Sequence, residues 1–327
     1  ISFLQIPLLG YIGYIAFLTL SMDPQVVIRG MLYLFLVVVG VPGNLAVIWA
    51  FCHIMRSERK LMPADAIVLH LAAVNLLVAA VRCSFEALAA FGVLYVFNNT
   101  GCKTIIFIYR TSRSLSIWLT FVLSTFQCIS IVPPGSRGYS IKSHAPRYLG
   151  GVFVFLWILN SWLSSAALAF AVSSGDNSTR TQYGINIEFC IVNFPSSTWK
   201  NAVGAVQVAR DAVPIFLMVA ASLFILLFLY RHSQQVKGLR SAKRTQKESA
   251  ESRAAKTVVT LVTLYVLFYG IDNGLWVYTL TVTQTLSTSL ISDLRIFFAS
   301  LYAAVSPLVI IASNKKVKSQ LGCMKTE

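Results

Sequence analysis

Of the 327 residues, 56% are hydrophobic and only 12% are charged, against about 25% charged in ordinary soluble domains. That leaves too little polar surface to solvate a globule of this size, so the surrounding medium is mostly lipid. The net charge of +15, from 27 Lys+Arg against 12 Asp+Glu, would point to nucleic acid in a soluble protein; in a lipid-embedded chain its distribution matters more, and no nucleic-acid partner is expected.

The chain opens with an apolar stretch over residues 4–20 that lacks the basic flank of a secretory signal. Counting it as a span puts the next connection on the wrong side of the membrane. Met22, followed by Asp23 and Pro24, looks like a start, and residues 1–21 are read as a signal-like or extraneous extension. Seven apolar runs follow at 26–52, 64–91, 105–132, 148–172, 202–230, 257–282 and 290–312, each long enough to cross roughly 30 Å of hydrocarbon at about 20 residues per helix. The alternating ten-residue segments of a membrane barrel are missing, and helices are then what satisfies the backbone in lipid. The expected fold is all-α, a bundle of seven transmembrane helices over residues 22–312 with a basic tail at 313–327.

Orientation follows from the basic residues of the connections. Arg56, Arg59 and Lys60 lie between runs one and two, and Arg137, Lys142 and Arg147 between three and four. Eight more, among them Arg240, Lys243 and Arg244, lie between five and six, and Lys315, Lys316, Lys318 and Lys325 follow run seven. All of these connections fall on one side, which is cytoplasmic, so the N-terminus is outside. The sequons at Asn98 and Asn177 fall in outer connections, where glycosylation is possible. Cys52, Cys83 and Cys128 sit within apolar runs and are read as packing residues. Cys102 and Cys190 are the pair left in the oxidising compartment, so a disulfide is expected to pin the second outer loop to the top of helix three. Cys323 in the tail is either palmitoylated or an unmodified thiol.

Several strings resemble the vomeronasal type-1 receptors, and more closely their fish relatives, the olfactory receptors class A-like. The most specific are YRTSRSLSIWLTF at 109–121, LSTFQCISIVP at 123–133 and VSPLVII at 305–311; VPGN at 41–44 and LHLAAVNLL at 69–77 fit less specifically. The resemblance covers about residues 22–318. It implies a G-protein-coupled chemosensory receptor in the plasma membrane of sensory neurons, responding to a pheromone or odorant and acting on a heterotrimeric G protein of the inhibitory class. It also implies G-protein contact through Gln127, Arg240, Lys243 and Arg244. The chain departs from the rhodopsin-like pattern: Gln127-Cys128-Ile129 stands where an Asp-Arg-Tyr-like triplet is usual, Asn75 lies near the usual sodium-binding Asp, run six lacks proline, and Ser306-Pro307 replaces Asn-Pro. A bitter-taste-like receptor shares some of these absences, but the expected Cys102–Cys190 bridge argues against it. A small-solute transporter is a further rival, although no internal repeat is evident.

No catalytic constellation or metal-ligand spacing can be found: His53, His70, His144 and His232 are scattered, so neither an enzyme nor a metal or other cofactor is expected. The informative residues are the charges inside apolar runs, which are costly in lipid and by default mark a cavity or contact. Helix three carries Arg110 and Arg113, roughly 12 and 16 Å below Cys102 at 1.5 Å per residue and on one face. Helix two offers Arg82 and Glu86, helix five Arg210 and Asp211, helix six Asp272, and helix seven Asp293 and Arg295. All belong to the outer half, where a small ligand enters from water. One reading is a self-neutralising network in which Arg82 pairs with Glu86, Arg113 with Asp272, and Arg295 with Asp293 or Asp211. In the other, the excess of arginine over acid leaves a guanidinium free for an organic anion, walled by aromatics drawn from Tyr109, Trp118, Tyr269, Trp276 and Tyr278.

Overall fold

A computed structural model describes residues 24–58, 61–91, 97–131, 139–173, 185–187, 190–239, 250–281 and 288–323. The proposed N-terminal extension, the sequon at Asn177, and Arg240, Lys243 and Arg244 lie outside these residues. The helices are α1 (Pro24–Glu58), α2 (Pro63–Ala90), α3 (Asn99–Ser130), α4 (Tyr139–Ser164), α5 (Ser197–Leu239), α6 (Ala250–Thr281), α7 (Thr288–Ser313) and a short α8 (Lys315–Cys323) in the basic tail. A five-residue helical piece, Ala166–Phe170, continues α4.

Among the described residues, six helices are long and apolar enough to cross a membrane, namely those at α1, α2, α4, α5, α6 and α7. Side chains on their outer faces, such as Phe216 (74% exposed), Trp162 (71%) and Ile158 (66%), are uncovered, far more apolar surface than a protein in water leaves open. With the family shown below, these spans make the chain a multi-pass membrane protein. The third apolar run belongs to α3, which is 32 residues long yet does not meet the same apolar standard. The physical reason is its place: α3 packs against α2, α4, α5 and α6, so protein rather than lipid surrounds it. Arg113, Ser114, Ser116, Thr120, Ser124 and Gln127 are compatible with such an interior, and Thr120 and Ser124 satisfy their hydroxyls on the carbonyls of Ser116 and Thr120 at 2.9 Å each.

Local chemistry sets several boundaries. Asn98 Oδ1 accepts the Gly101 N–H at 2.8 Å, an N-cap that starts α3 well before the apolar run at 105. The exposed sequon residue Asn98 therefore also has a structural task. In α2 the stretch Val78–Cys83 is π-helical, which shifts the register of every later residue on that helix. Helices α1 and α7 approach closely at Gly40, where a Cβ would meet Ala304 Cα at 3.1 Å. Asn44 locks that contact by donating to the carbonyls of Gly40 (2.8 Å) and Ala303 (2.9 Å).

At one end of the bundle, β1 (Ala171–Ser173), β2 (Ile185–Ile187) and β3 (Cys190–Val192) form an antiparallel sheet in the order β1-β3-β2. The expected disulfide is present: Cys102 of α3 is bonded to Cys190 of β3, both fully buried, with Cα atoms 5.8 Å apart. Cys52, Cys83 and Cys128 are free thiols within helices. In the folded protein, maleimide is expected to leave Cys102 and Cys190 unlabelled until a reductant is added. Mass-spectrometric detection of label on both without reductant rules the bridge out.

Candidate ligand-binding site

Beneath the sheet, α2, α3, α5, α6 and α7 enclose a cavity of about 130 Å³. Drug-sized sites run to roughly 300–1,000 Å³, so this one suits a small molecule. Its lining includes Arg82, Arg110, Arg113, Arg210, Asp272 and Arg295. Six of the eight ligand-site residues expected from the sequence thus converge on one cavity, and Asp211 lines it as well. Glu86 and Asp293 do not line it; they lie behind it, joined by Arg29 of α1, which reaches Glu86 at 3.1 Å and Asp293 at 3.2 Å.

The charges are organised as chains of ion pairs. Arg82 reaches Glu86 at 2.5 Å, one turn along α2. Arg113 sits between Asp211 of α5 (3.3 Å) and Asp272 of α6 (2.5 Å). Asp211 also takes Arg210 at 2.9 Å, whose Nη1 donates to Ser164 at 3.1 Å. Asp272 also takes Arg295 at 3.3 Å. Arg82 with Glu86 and Arg113 with Asp272 follow the expected neutralising network. Arg295 has Asp272 as a partner, one that the sequence, which points it to Asp293 or Asp211, does not suggest; Asp272 projects from α6 toward both α3 and α7 and serves both cations. Asp211 and Asp272 are both nine-tenths buried or more, and both are committed to arginines.

Arg110 stands apart. Its Nη1 is buried with no hydrogen-bond partner among the described residues, and it faces the same cavity as Arg113. Gln207 Nε2 of α5, also on the lining, is a second buried donor without an acceptor among those residues. Buried donors left unmatched are costly, by roughly 1–3 kcal/mol and more when charged. Arg113 Nε, on the same lining, is a third such donor, so the cavity offers hydrogen-bond donors that an acceptor-rich molecule can match.

The aromatic wall differs from expectation. Tyr109 lines the cavity, with Arg82 stacked 5.2 Å over its ring. Phe194, just beyond β3, supplies a second ring. Tyr269 lies beneath Arg113, 4.7 Å from the guanidinium. Trp118 packs among α2, α3 and α4 instead, and Tyr278 is exposed; the side chain of Trp276 is outside the described ones. Sequence reasoning missed Arg29, Lys200, Gln207 and Phe194. Arg29 had a readable signal, a lone cation near the start of an apolar run. Phe194 and Lys200 belong to the connection before α5 and its first turn, whose course over the cavity depends on the disulfide. Gln207 carries no charge, and nothing along the chain marks which way it points. His70 stacks on Phe153 (4.6 Å) and accepts from Trp157 Nε1 at 2.8 Å. At the far end of the bundle, Gln127 lines a separate cavity of about 250 Å³ with Leu123, Thr257, Leu261 and Ile310. There Lys316 of α8 meets Asp65 at 3.4 Å.

Comparison with known proteins agrees with this architecture. The family model of the vomeronasal organ pheromone receptors matches residues 27–322. Olfactory receptor class A-like protein 1 of Danio rerio is 38% identical over 307 residues, covering 94% of this chain and 95% of the relative. Vomeronasal type-1 receptor 1 of Gorilla gorilla gorilla is 28% identical over 282 residues, covering 85% and 78%, and vomeronasal type-1 receptor 2 of Homo sapiens is 28% identical over 281, covering 86% and 70%. With a helical membrane bundle, a disulfide-tied sheet at one end and a family match over nearly its whole length, the chain belongs to the vomeronasal organ pheromone receptor family.

Proposed function

We propose that this chain is a seven-span receptor with its N-terminus outside, which binds a small organic anion in the cavity beneath the sheet and activates a heterotrimeric G protein of the inhibitory class at the opposite end. As a member of a chemosensory receptor family it is not an enzyme. The observation that carries the ligand class is Arg110, a buried cation facing a cavity whose lining carboxylates are already paired. In this reading α3 is the seventh span, its polar face turned to the cavity and its neighbours. Gln127, lining the cavity at the other end, belongs to the G-protein contact together with Arg240, Lys243 and Arg244, and the bundle's apolar exterior takes membrane lipid as its solvent. The plasma membrane of chemosensory neurons is the proposed location. Family membership favours a receptor over a solute transporter, and over a bitter-taste-like receptor.

The test uses membranes carrying the protein together with a purified inhibitory heterotrimer. Small aromatic and aliphatic carboxylates are expected to accelerate nucleotide exchange, and organic amines are not. Flux of those acids into liposomes without any effect on exchange overturns the receptor reading in favour of a transporter. The topology is checked in the same cells: glycosidase is expected to shift the gel mobility through Asn98 or Asn177. Antibody reaching a tag placed after Glu327 on unpermeabilised cells reverses the orientation.

A further inference from the structure

The cavity is connected to the middle of the bundle by a continuous relay of buried side chains. Arg113 touches α6 twice: it is ion-paired with Asp272, and one turn earlier its guanidinium lies over the ring of Tyr269, 4.7 Å from the centroid. Tyr269 stacks on Tyr265 with centroids 4.6 Å apart. The Tyr265 ring lies against Tyr302 of α7 at 3.6 Å, and its hydroxyl donates to Ser116 of α3 at 2.6 Å. Ser116 in turn donates to Asn75 Oδ1 of α2 at 2.6 Å, and Asn75 Nδ2 donates to Ser306 of α7 at 2.9 Å. The five residues from Tyr265 and Tyr269 through Ser116 and Asn75 to Ser306 are all at most 2% exposed. Four helices therefore meet at one hydrogen-bonded cluster, and the Tyr265–Tyr269 pair links that cluster to the cavity.

We infer that Tyr269 and Tyr265 are positioning residues that couple the Arg113–Asp272 ion pair to the packing of α6 against α3 and α7, so that loss of the ion pair loosens the opposite end of the bundle. The inference rests on the proposed receptor reading for its purpose, since an anion competing with Asp272 for Arg113 is the natural trigger. Its physics does not need that reading. With Asp272 released, the guanidinium is left to Asp211 of α5 and is drawn away from the Tyr269 ring on α6. The tyrosine stack then loses the cation that fixes it, and the Tyr265 hydroxyl is freed from Ser116. A buried cluster of this kind has discrete arrangements rather than a continuum, and coupling between its two ends is measured by a double-mutant cycle.

Thr257 of α6 lines the far cavity, so Thr257→Cys offers a reporter of opening there. The readout is its rate of modification by a charged, water-soluble thiol reagent in lipid nanodiscs, corrected with the parent that retains the native cysteines. Asp272→Asn and Tyr265→Phe are each expected to raise the rate several-fold, and the double variant to exceed the faster single by less than twofold. Tyr269→Leu, which removes the ring between Arg113 and Tyr265, is likewise expected to raise it. Multiplicative effects in the double variant, or an unchanged rate in Tyr265→Phe and Tyr269→Leu, overturn the inference. If Asp272→Asn is not recovered folded, the cycle between Tyr265→Phe and Tyr269→Leu, both neutral changes, decides it by the same criterion. No ligand or G protein enters the measurement, so failure of nucleotide exchange, which sinks the receptor reading, is a separate result.

Discussion

Replacing Glu86 by Ala is expected to cut the recovery of folded protein and lower its melting temperature sharply. Glu86 is fully buried and is the carboxylate shared by Arg82 of its own helix and Arg29 of α1; Arg29 continues to Asp293 of α7. Removing one partner of a buried pair costs roughly 3–5 kcal/mol because an uncompensated charge stays behind, and here two cations share the loss. Against a typical total stability of about 5–15 kcal/mol, that is a large fraction of what holds the bundle. Glu86→Gln keeps the shape and one acceptor and is expected to be intermediate. Pairing Glu86→Leu with Arg82→Leu should restore part of the yield, since apolar replacement of both partners removes the stranded charge. The measurement is monodisperse yield and melting temperature after solubilisation. A Glu86→Ala variant that melts with the parent sinks the claim that this network holds α1, α2 and α7 together.

Arg110→Ala is expected to do the reverse: to preserve or raise stability while weakening the response to an organic acid tenfold to a hundredfold. Because Arg110 makes no ion pair among the described residues and the lining acids are held by Arg113, Arg210 and Arg295, its removal strands no carboxylate. Loss of a charge-assisted contact to the ligand costs roughly 1.5–3 kcal/mol, the source of the stated range. Arg110→Lys should rescue only partly, as an ammonium cannot reproduce the planar two-pronged donor. Arg113→Ala is the informative contrast: Arg113 binds both Asp211 and Asp272, so its loss leaves buried acids and is expected to reduce surface delivery as well as response. Concentration-response curves normalised to surface expression separate the two. Full potency toward the acid in surface-delivered Arg110→Ala, or a best agonist that is a cation dependent on Asp272, removes the anion assignment.

By itself the sequence determined what depends on distance along the chain. Apolar runs of membrane-spanning length, the basic asymmetry of the connections and the separation of Cys102 and Cys190 from the helix-borne cysteines are one-dimensional quantities, and the helical bundle and its disulfide follow from them. Depth is also one-dimensional, at 1.5 Å per residue, which is why Arg113 with Asp272 and Arg82 with Glu86 were legible as pairs. What only the tertiary structure decided is azimuth, the direction each side chain takes around its helix and the neighbour it meets there. The π-helical turn at Val78–Cys83 rotates the end of α2, and the packing of α1 beside α2 and α7 brings Arg29 to Glu86 and Asp293. Arg110 and Arg113 share a helix face, yet Arg113 lies between two acids while Arg110 makes no ion pair among the described residues, because α5 and α6 present Asp211 and Asp272 to Arg113. The joining of Asn75, Ser116, Tyr265 and Ser306 likewise needs four helices at one depth, each turned inward, and a count of residues along a single chain holds no record of that rotation.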